Sequence, residues 1–201
     1  MSTISNIKKT QERLAARHQG QEGLDIPPKH EPEILLIGCV DARLDIIGDL
    51  GIPKGKALVY RNIAALVQGR SDDPNDLSHM SETAALEFAI NVMRVKDVVV
   101  MGHTDCGGIR ASLTSAVEEH KAIHQYLSSL DAVRDEILAQ GGDIDAQARA
   151  MEKAAVRQSI ENLKSYYVVR DALEENRITL HGWVINTGTG EIEDLTSEET
   201  E

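Results

Sequence analysis

The chain of 201 residues contains only two cysteines, Cys39 and Cys106. A framework of several disulfides is therefore excluded, and two cysteines in a reducing compartment more often bind a metal or take part in catalysis. The first residues contain no apolar segment of the signal-peptide type, so we predict a cytoplasmic protein. No hydrophobic run approaches the length that spans a bilayer, so we expect no membrane partner.

Positive charge is also scarce. The 21 Lys and Arg residues stand against 33 Asp and Glu residues, which gives a formal net charge of -12. A surface this acidic repels phosphate groups, so we expect no nucleic acid partner. The contents of 41% hydrophobic and 27% charged residues are those of a globular protein, and the length suits a single domain.

Short apolar runs alternate with helical patterns along the chain. The runs are short enough to be strands, and they cover residues 33–38, 57–60, 97–101 and 178–186. The first of them is apolar almost throughout, which suits a parallel strand that is buried on both faces. Helices are predicted at residues 4–18, 81–95, 109–140 (which allows an internal break), 145–167 and 169–175. We therefore expect an α/β fold with a mostly parallel β-sheet flanked by helices. The acidic segment from Glu191 is expected to fray.

Both cysteines follow predicted strands. Cys39 comes directly after the first strand, and His103 and Cys106 follow the strand that ends near Met101. Because α/β proteins gather functional side chains at the carboxyl ends of parallel strands, we expect these three residues to lie together. Two thiolates and one imidazole are three ligands for a zinc ion with a fourth position left open. The sequence therefore predicts one Zn²⁺ per chain.

The fourth position decides between a catalytic and a structural zinc site. Asp41 is the one plausible local protein ligand, and Arg43 is close enough to bind its carboxylate in a bidentate pair. If Arg43 holds Asp41, the metal keeps a water molecule, and if the pair breaks, Asp41 can close the site. Asp105 is interpreted as a cap of the helix or turn that follows it.

Several stretches resemble the β-class carbonic anhydrase family, over roughly residues 30–195. They are Cys-Val-Asp-Ala-Arg at 39–43, Tyr-Arg-Asn-Ile-Ala at 60–64, Ala-Leu-Glu-Phe-Ala-Ile at 85–90, the run from Val98 to Ile109, Leu-His-Gly-Trp at 180–183 and Thr-Gly-Thr-Gly at 187–190. Ala65 departs from the family pattern, which commonly has Asn there. Phe88, the only phenylalanine, is expected in the core.

The resemblance implies reversible hydration of carbon dioxide to bicarbonate and a proton, by attack of zinc-bound hydroxide. By position, Cys39, His103 and Cys106 would be the zinc ligands, and Asp41 and Arg43 the catalytic pair that orients the zinc-bound water. The resemblance also implies a β-carbonic-anhydrase-like fold and a homodimer or higher homo-oligomer with a small-molecule substrate. We expect an N-terminal helix and arm over residues 1–30, the catalytic domain over 31–195 and an acidic tail over 196–201.

Three other functions remain open at this point. A hydrolase of carbonyl sulfide or carbon disulfide would use the same fold and zinc site. A catalytically silent, zinc-stapled homologue would have Asp41 permanently on the metal. A thiol redox protein is the weakest alternative, because the chain has no Cys-x-x-Cys pair.

Overall fold

A computed structural model describes residues 2–18, 27–71, 73, 76 and 78–196. The chain divides into two compact units, residues 1–30 and residues 31–201. The first unit contains helix α1 (Thr3–His18), which confirms the helix predicted there. Residues 19–26 of the predicted arm and 197–201 of the predicted tail lie outside the described residues.

The second unit alternates strands and helices. Its described strands are β1 (Ile34–Cys39), β2 (Ala57–Asn62), β3 (Asp97–His103), β4 (Thr179–Ile185) and β5 (Ile192–Asp194). Its described α-helices are α2 (Ile46–Asp49), α3 (Met80–Glu87), α4 (Gly107–Ser112), α5 (Lys121–Leu127), α6 (Asp131–Gln140), α7 (Ile144–Leu163) and α8 (Tyr167–Glu174). Short 3₁₀ turns cover Ile63–Ala65, Ser115–Val117 and Ser128–Leu130, and a π-helical turn at Phe88–Val92 continues α3.

The five strands form one sheet in the order β2-β1-β3-β4-β5. The first four strands in this order are parallel, and β5 is antiparallel to β4. Both faces of the sheet are covered. Leu35 and Val98 belong to a core cluster that includes residues of α3, α7 and α8, while Leu36 and Val99 belong to a second cluster with residues of α4, α5 and α6. Burial on both faces explains the continuous apolar runs of the sequence, and the predicted α/β fold is confirmed.

Two details differ from expectation, and a break that the sequence allowed is present. The segment after Glu191 does not fray at once, because Ile192–Asp194 pairs with β4 and the Leu195 side chain is buried. Phe88 is 46% exposed, so its assignment to the core is wrong. The long helical stretch after residue 109 is divided into α4, α5 and α6. Among the described residues, no helix has the length and apolar character needed to cross a membrane.

Candidate metal centre

The ends of β1 and β3 bring the predicted ligands together. Cys39 is the last residue of β1, His103 is the last residue of β3, and the two strands are parallel neighbours. Cys106 immediately precedes α4, three residues after His103. The three buried side chains offer ligand atoms that all lie within 4.8 Å of one another, and the two sulfurs are 4.0 Å apart.

This arrangement fits a tetrahedral metal ion. The Nδ1 atom of His103 lies 2.9 Å from the carbonyl oxygen of Thr104. A carbonyl can only accept a hydrogen bond, so Nδ1 carries the hydrogen and Nε2 presents a lone pair. That Nε2 atom is buried without a hydrogen-bond partner among the described residues. Two thiolates at about 2.3 Å from one zinc ion would lie about 3.8 Å apart, close to the observed spacing.

The surroundings favour the thiolate form of Cys39. The Cys106 thiol hydrogen-bonds to the Cys39 sulfur, and His103 and the backbone of Asp41 and Ala64 add further hydrogen bonds, so the pKa of Cys39 is lowered to about 4 despite burial. The contact with Cys39, together with burial, raises the pKa of the Cys106 thiol. Burial, the largest single influence, disfavours a charged His103 ring, but the nearby Cys39 sulfur, the Thr104 carbonyl and the charge of Asp41 together outweigh it and raise the pKa of the imidazole. One of the two sulfurs is thus prepared as an anion before any metal binds.

Asp41 lies beside these ligands but is bound by Arg43. The guanidinium donates from Nε to Oδ1 at 2.9 Å and from Nη2 to Oδ2 at 2.8 Å, and the Arg43 backbone N–H donates to Oδ1 at 2.9 Å. The Arg43 side chain, followed by its backbone N–H, holds the pKa of Asp41 well below its usual range. Oδ2 of Asp41 is 3.9 Å from Nε2 of His103. The carboxylate is therefore close to the possible metal position while both of its oxygens face Arg43.

Arg61 holds the loop that carries this pair, and we assigned it no role from the sequence. Its guanidinium donates to the carbonyl oxygens of Cys39 and Asp41, both at 2.7 Å, and more weakly to that of Leu44 at 3.3 Å. Arg61 is paired with Gly38 in the register of β2 against β1. The sequence could have indicated this role, because Arg61 is a cationic residue on the strand that lies beside the end of β1.

The turn after β2 forms another wall of the site. Ala64 and Ala65 both adopt left-handed backbone conformations, with φ of 60° and 56°. A Cβ atom on Gly108 would lie 2.8 Å from Cγ2 of Ile63, so this turn and the start of α4 approach closely only because residue 108 is glycine. Asn adopts the left-handed conformation more readily than Ala, so the Asn that the resemblance leads us to expect at position 65 would be less strained there than Ala65.

Two residues of α7 complete the surroundings of Cys106. The Glu152 carboxylate is buried and accepts the backbone N–H of Cys106 at 3.1 Å. Arg149 donates to Glu152 at 3.0 Å and to Asp105 at 2.5 Å. The Asp105 side chain therefore binds Arg149, and the expectation that it caps α4 is wrong. Glu152 could have been noticed in the sequence, because it is the one acidic residue among the buried residues of α7, which include Met151 and Ala155.

Comparison with known proteins agrees with this architecture. The carbonic anhydrase family pattern matches residues 34–192, and the chain belongs to the β-carbonic anhydrase family. It is 30% identical over 178 residues to the mitochondrial beta carbonic anhydrase 6 of Arabidopsis thaliana, over 84% of this chain. The chain spans only 59% of the length of that relative.

Two further relatives match over more of their own length. Carbonic anhydrase 1 of Escherichia coli O157:H7 is 33% identical over 166 residues, which cover 82% of this chain and 74% of that protein. A crystal structure from Sordaria macrospora, described as one of two tetrameric beta-carbonic anhydrases, superposes with a TM-score of 0.77 at 26% identity. The superposition covers 96% of this chain and 95% of the other.

Proposed function

We propose that the protein is a zinc-dependent carbonic anhydrase, which interconverts carbon dioxide and bicarbonate with release or uptake of a proton. The observation that carries this proposal is the state of Asp41. Three buried ligand atoms converge, while both oxygens of the one adjacent carboxylate are engaged by Arg43. Three protein ligands with a fourth position left free are typical of catalytic zinc.

Cys39, His103 and Cys106 would hold the ion. Sulfur and imidazole ligands in tetrahedral arrangement favour zinc over magnesium or calcium, which prefer oxygen. When bound, zinc supplies Lewis-acid activation of a water molecule. The hydrogen bond from His103 Nδ1 to the Thr104 carbonyl fixes the ring so that Nε2 faces the metal position.

The remaining residues would orient the reactants. Asp41 is kept ionised by Arg43, so its carboxylate can accept a hydrogen bond from a molecule at the fourth position. The cluster that contains both cysteines also contains Ala64, Leu66 and Ile109. Such apolar surroundings suit a small uncharged substrate like carbon dioxide and exclude bulk water.

The assembly, location and domain limits belong to the same proposal. We infer a homo-oligomer, since the Sordaria relatives are described as tetrameric and since Val59 on β2, Phe88 and Val92 leave apolar surface exposed in the single chain.

The free state of both cysteines is compatible with a reducing cytoplasm. We keep the predicted division into an arm over 1–30, a catalytic domain over 31–195 and a tail over 196–201.

Stopped-flow measurement of carbon dioxide hydration tests the activity. The zinc-loaded protein should accelerate hydration, and Cys106→Ser should lose both zinc and activity because one soft ligand is replaced by a hydroxyl. Arg134→Met, which removes a guanidinium bound to Asp131 and Asp135 on α6, is the control and should keep both. A zinc-loaded parent protein with no hydration activity would contradict the proposal, and release of hydrogen sulfide from carbonyl sulfide by that protein would select the hydrolase alternative.

A further inference from the structure

A chain of polar contacts connects α7 to the Asp41–Arg43 pair. On α7, Nη1 of Arg149 donates to both carboxylate oxygens of Glu152, at 3.0 and 3.2 Å, and Nη2 donates to Oδ1 of Asp105 at 2.5 Å. Glu152 in turn accepts the backbone N–H of Cys106. Arg149 and Glu152 thus fix both the side chain of Asp105 and the backbone of the next residue.

The backbone of Asp105 connects these contacts to Arg43. Its φ of 57° is in the left-handed region, which sets the direction of its carbonyl group. That carbonyl oxygen accepts a hydrogen bond from Nη2 of Arg43 at 2.9 Å. The same nitrogen donates to Oδ2 of Asp41 at 2.8 Å. The Asp105 carbonyl therefore helps to fix the position of the Arg43 guanidinium. Through the guanidinium, it also helps to fix the position of the Asp41 carboxylate.

We propose that Asp105, Arg149 and Glu152 form a brace that holds Arg43 against Asp41 and so keeps Asp41 away from the metal position. The three are positioning residues, because Asp105 and Arg149 act on the fourth position through Arg43, and Glu152 acts through Arg149 and the backbone of Cys106. The inference rests on the proposed metal centre and names the contacts that keep it open. It predicts that weakening the brace shifts the population toward a centre closed by Asp41.

Arg149 pairs with the Glu152 carboxylate, which is only 2% exposed, but the contact between Arg149 and Asp105 is poorly placed to serve stability alone. The side chains of Arg149 and Asp105 are 44% and 51% exposed, and exposed ion pairs add little to folding stability. Arg134 provides a matched comparison, because its guanidinium also bridges two carboxylates, those of Asp131 and Asp135, but on α6. Replacing either arginine with Met removes one guanidinium and two ion pairs, but only Arg149 is connected to the Asp41–Arg43 pair.

Anion binding to the cobalt(II)-loaded protein measures how often the fourth position is open. Azide is added, and the visible absorption of the cobalt ion reports its binding. Because the apparent dissociation constant is the intrinsic one divided by the open fraction, a closed centre binds azide more weakly. We expect Arg149→Met to weaken azide binding at least fivefold with one cobalt per chain retained, and Arg134→Met to change it less than twofold.

Two further variants separate positioning from a general structural effect. Asp105→Asn removes the ion pair but tolerates the left-handed backbone, and it should weaken azide binding in the same direction. In an Arg43→Met background, Arg149→Met should change azide binding less than twofold further, because the guanidinium that the brace positions is then absent. Unchanged azide binding in both Arg149→Met and Asp105→Asn would overturn the brace, as would an equal loss with and without Arg43.

Carbon dioxide hydration by the same preparations keeps the two proposals distinguishable. A parent protein that binds cobalt and azide but hydrates no carbon dioxide would refute the proposed function, while the azide results would still decide for or against the brace. A parent protein that takes up no cobalt or zinc would overturn both.

Discussion

Replacing Glu82 with glutamine should change how the stability of the protein depends on pH. The Glu82 side chain lies on α3 and is 7% exposed, and its Oε1 atom has no hydrogen-bond partner among the described residues. Its Oε2 atom is 3.2 Å from the hydroxyl of Tyr166, which is also 2.9 Å from the carbonyl of Gln68. One hydroxyl proton cannot serve both acceptors fully, and Nδ1 of His79, at 3.7 Å from Oε2, is beyond hydrogen-bond distance. A protonated Glu82 therefore satisfies this cluster better than a carboxylate does.

Burial raises the pKa of Glu82 from its ordinary value of 4.5 to about 7, and hydrogen bonds from Tyr166 and the Gln68 backbone offset only part of this. Between these two values the unfolded chain loses the proton while the native protein keeps it. The group's contribution to stability is therefore complete below pH 4.5 and is lost as the pH rises through about 7. At 1.36 kcal/mol per pKa unit, the total loss is about 3 kcal/mol.

Urea unfolding of the parent protein and Glu82→Gln at pH 5, 6, 7 and 8 checks this, with far-ultraviolet circular dichroism as the signal. The free energy of unfolding of the parent should fall relative to that of the variant by about 2.5 kcal/mol over this range. The metal centre is the same in both proteins, so its own pH dependence cancels in the difference. Glu161→Gln on the exposed face of α7 is the control and should shift unfolding by no more than about 0.5 kcal/mol at each pH. A parent-minus-variant difference that stays constant within about 0.5 kcal/mol would refute the reasoning.

Three other changes have definite expected outcomes. Arg94 is exposed and has φ of 58°, so Arg94→Gly should raise the free energy of unfolding by about 1 kcal/mol in thermal denaturation, while Arg94→Ala should not. Met151 on α7 is fully buried, so Met151→Ala should lower that free energy by about 3 kcal/mol in urea unfolding. Arg43→Met should keep one zinc per chain by elemental analysis but slow carbon dioxide hydration at least tenfold, because Asp41 loses both guanidinium donors; undiminished hydration would exclude a role for the pair.

The centre of the sheet could be predicted because β1 and β3 are buried on both faces. The apolar runs that contain Leu35 and Val98 are too short for helices and lack polar alternation, which is typical of central parallel strands. The proximity of Cys39 and His103 followed from the same argument, since neighbouring parallel strands end at one edge. The sequence could not reveal β5, because an acidic three-residue strand owes its structure to pairing with β4.

The contacts around the candidate site were harder to predict. Arg149 and Asp105 are 44 residues apart, and no periodicity links a helix surface to a loop at that distance. Local patterns suggested a helix cap for Asp105, but the side chain binds the more distant guanidinium instead. Phe88 fitted the apolar spacing of its helix, yet that spacing cannot tell a face that meets the core from one that meets solvent.

A crystal structure of the zinc-loaded protein, with anomalous diffraction measured across the zinc edge, tests the central claim most directly. We predict one anomalous peak per chain between the sulfurs of Cys39 and Cys106 and Nε2 of His103, with Asp41 still bound by Arg43. A protein without a zinc peak at this position, or one whose zinc is ligated by Asp41 in every chain, would contradict the account of an open catalytic centre.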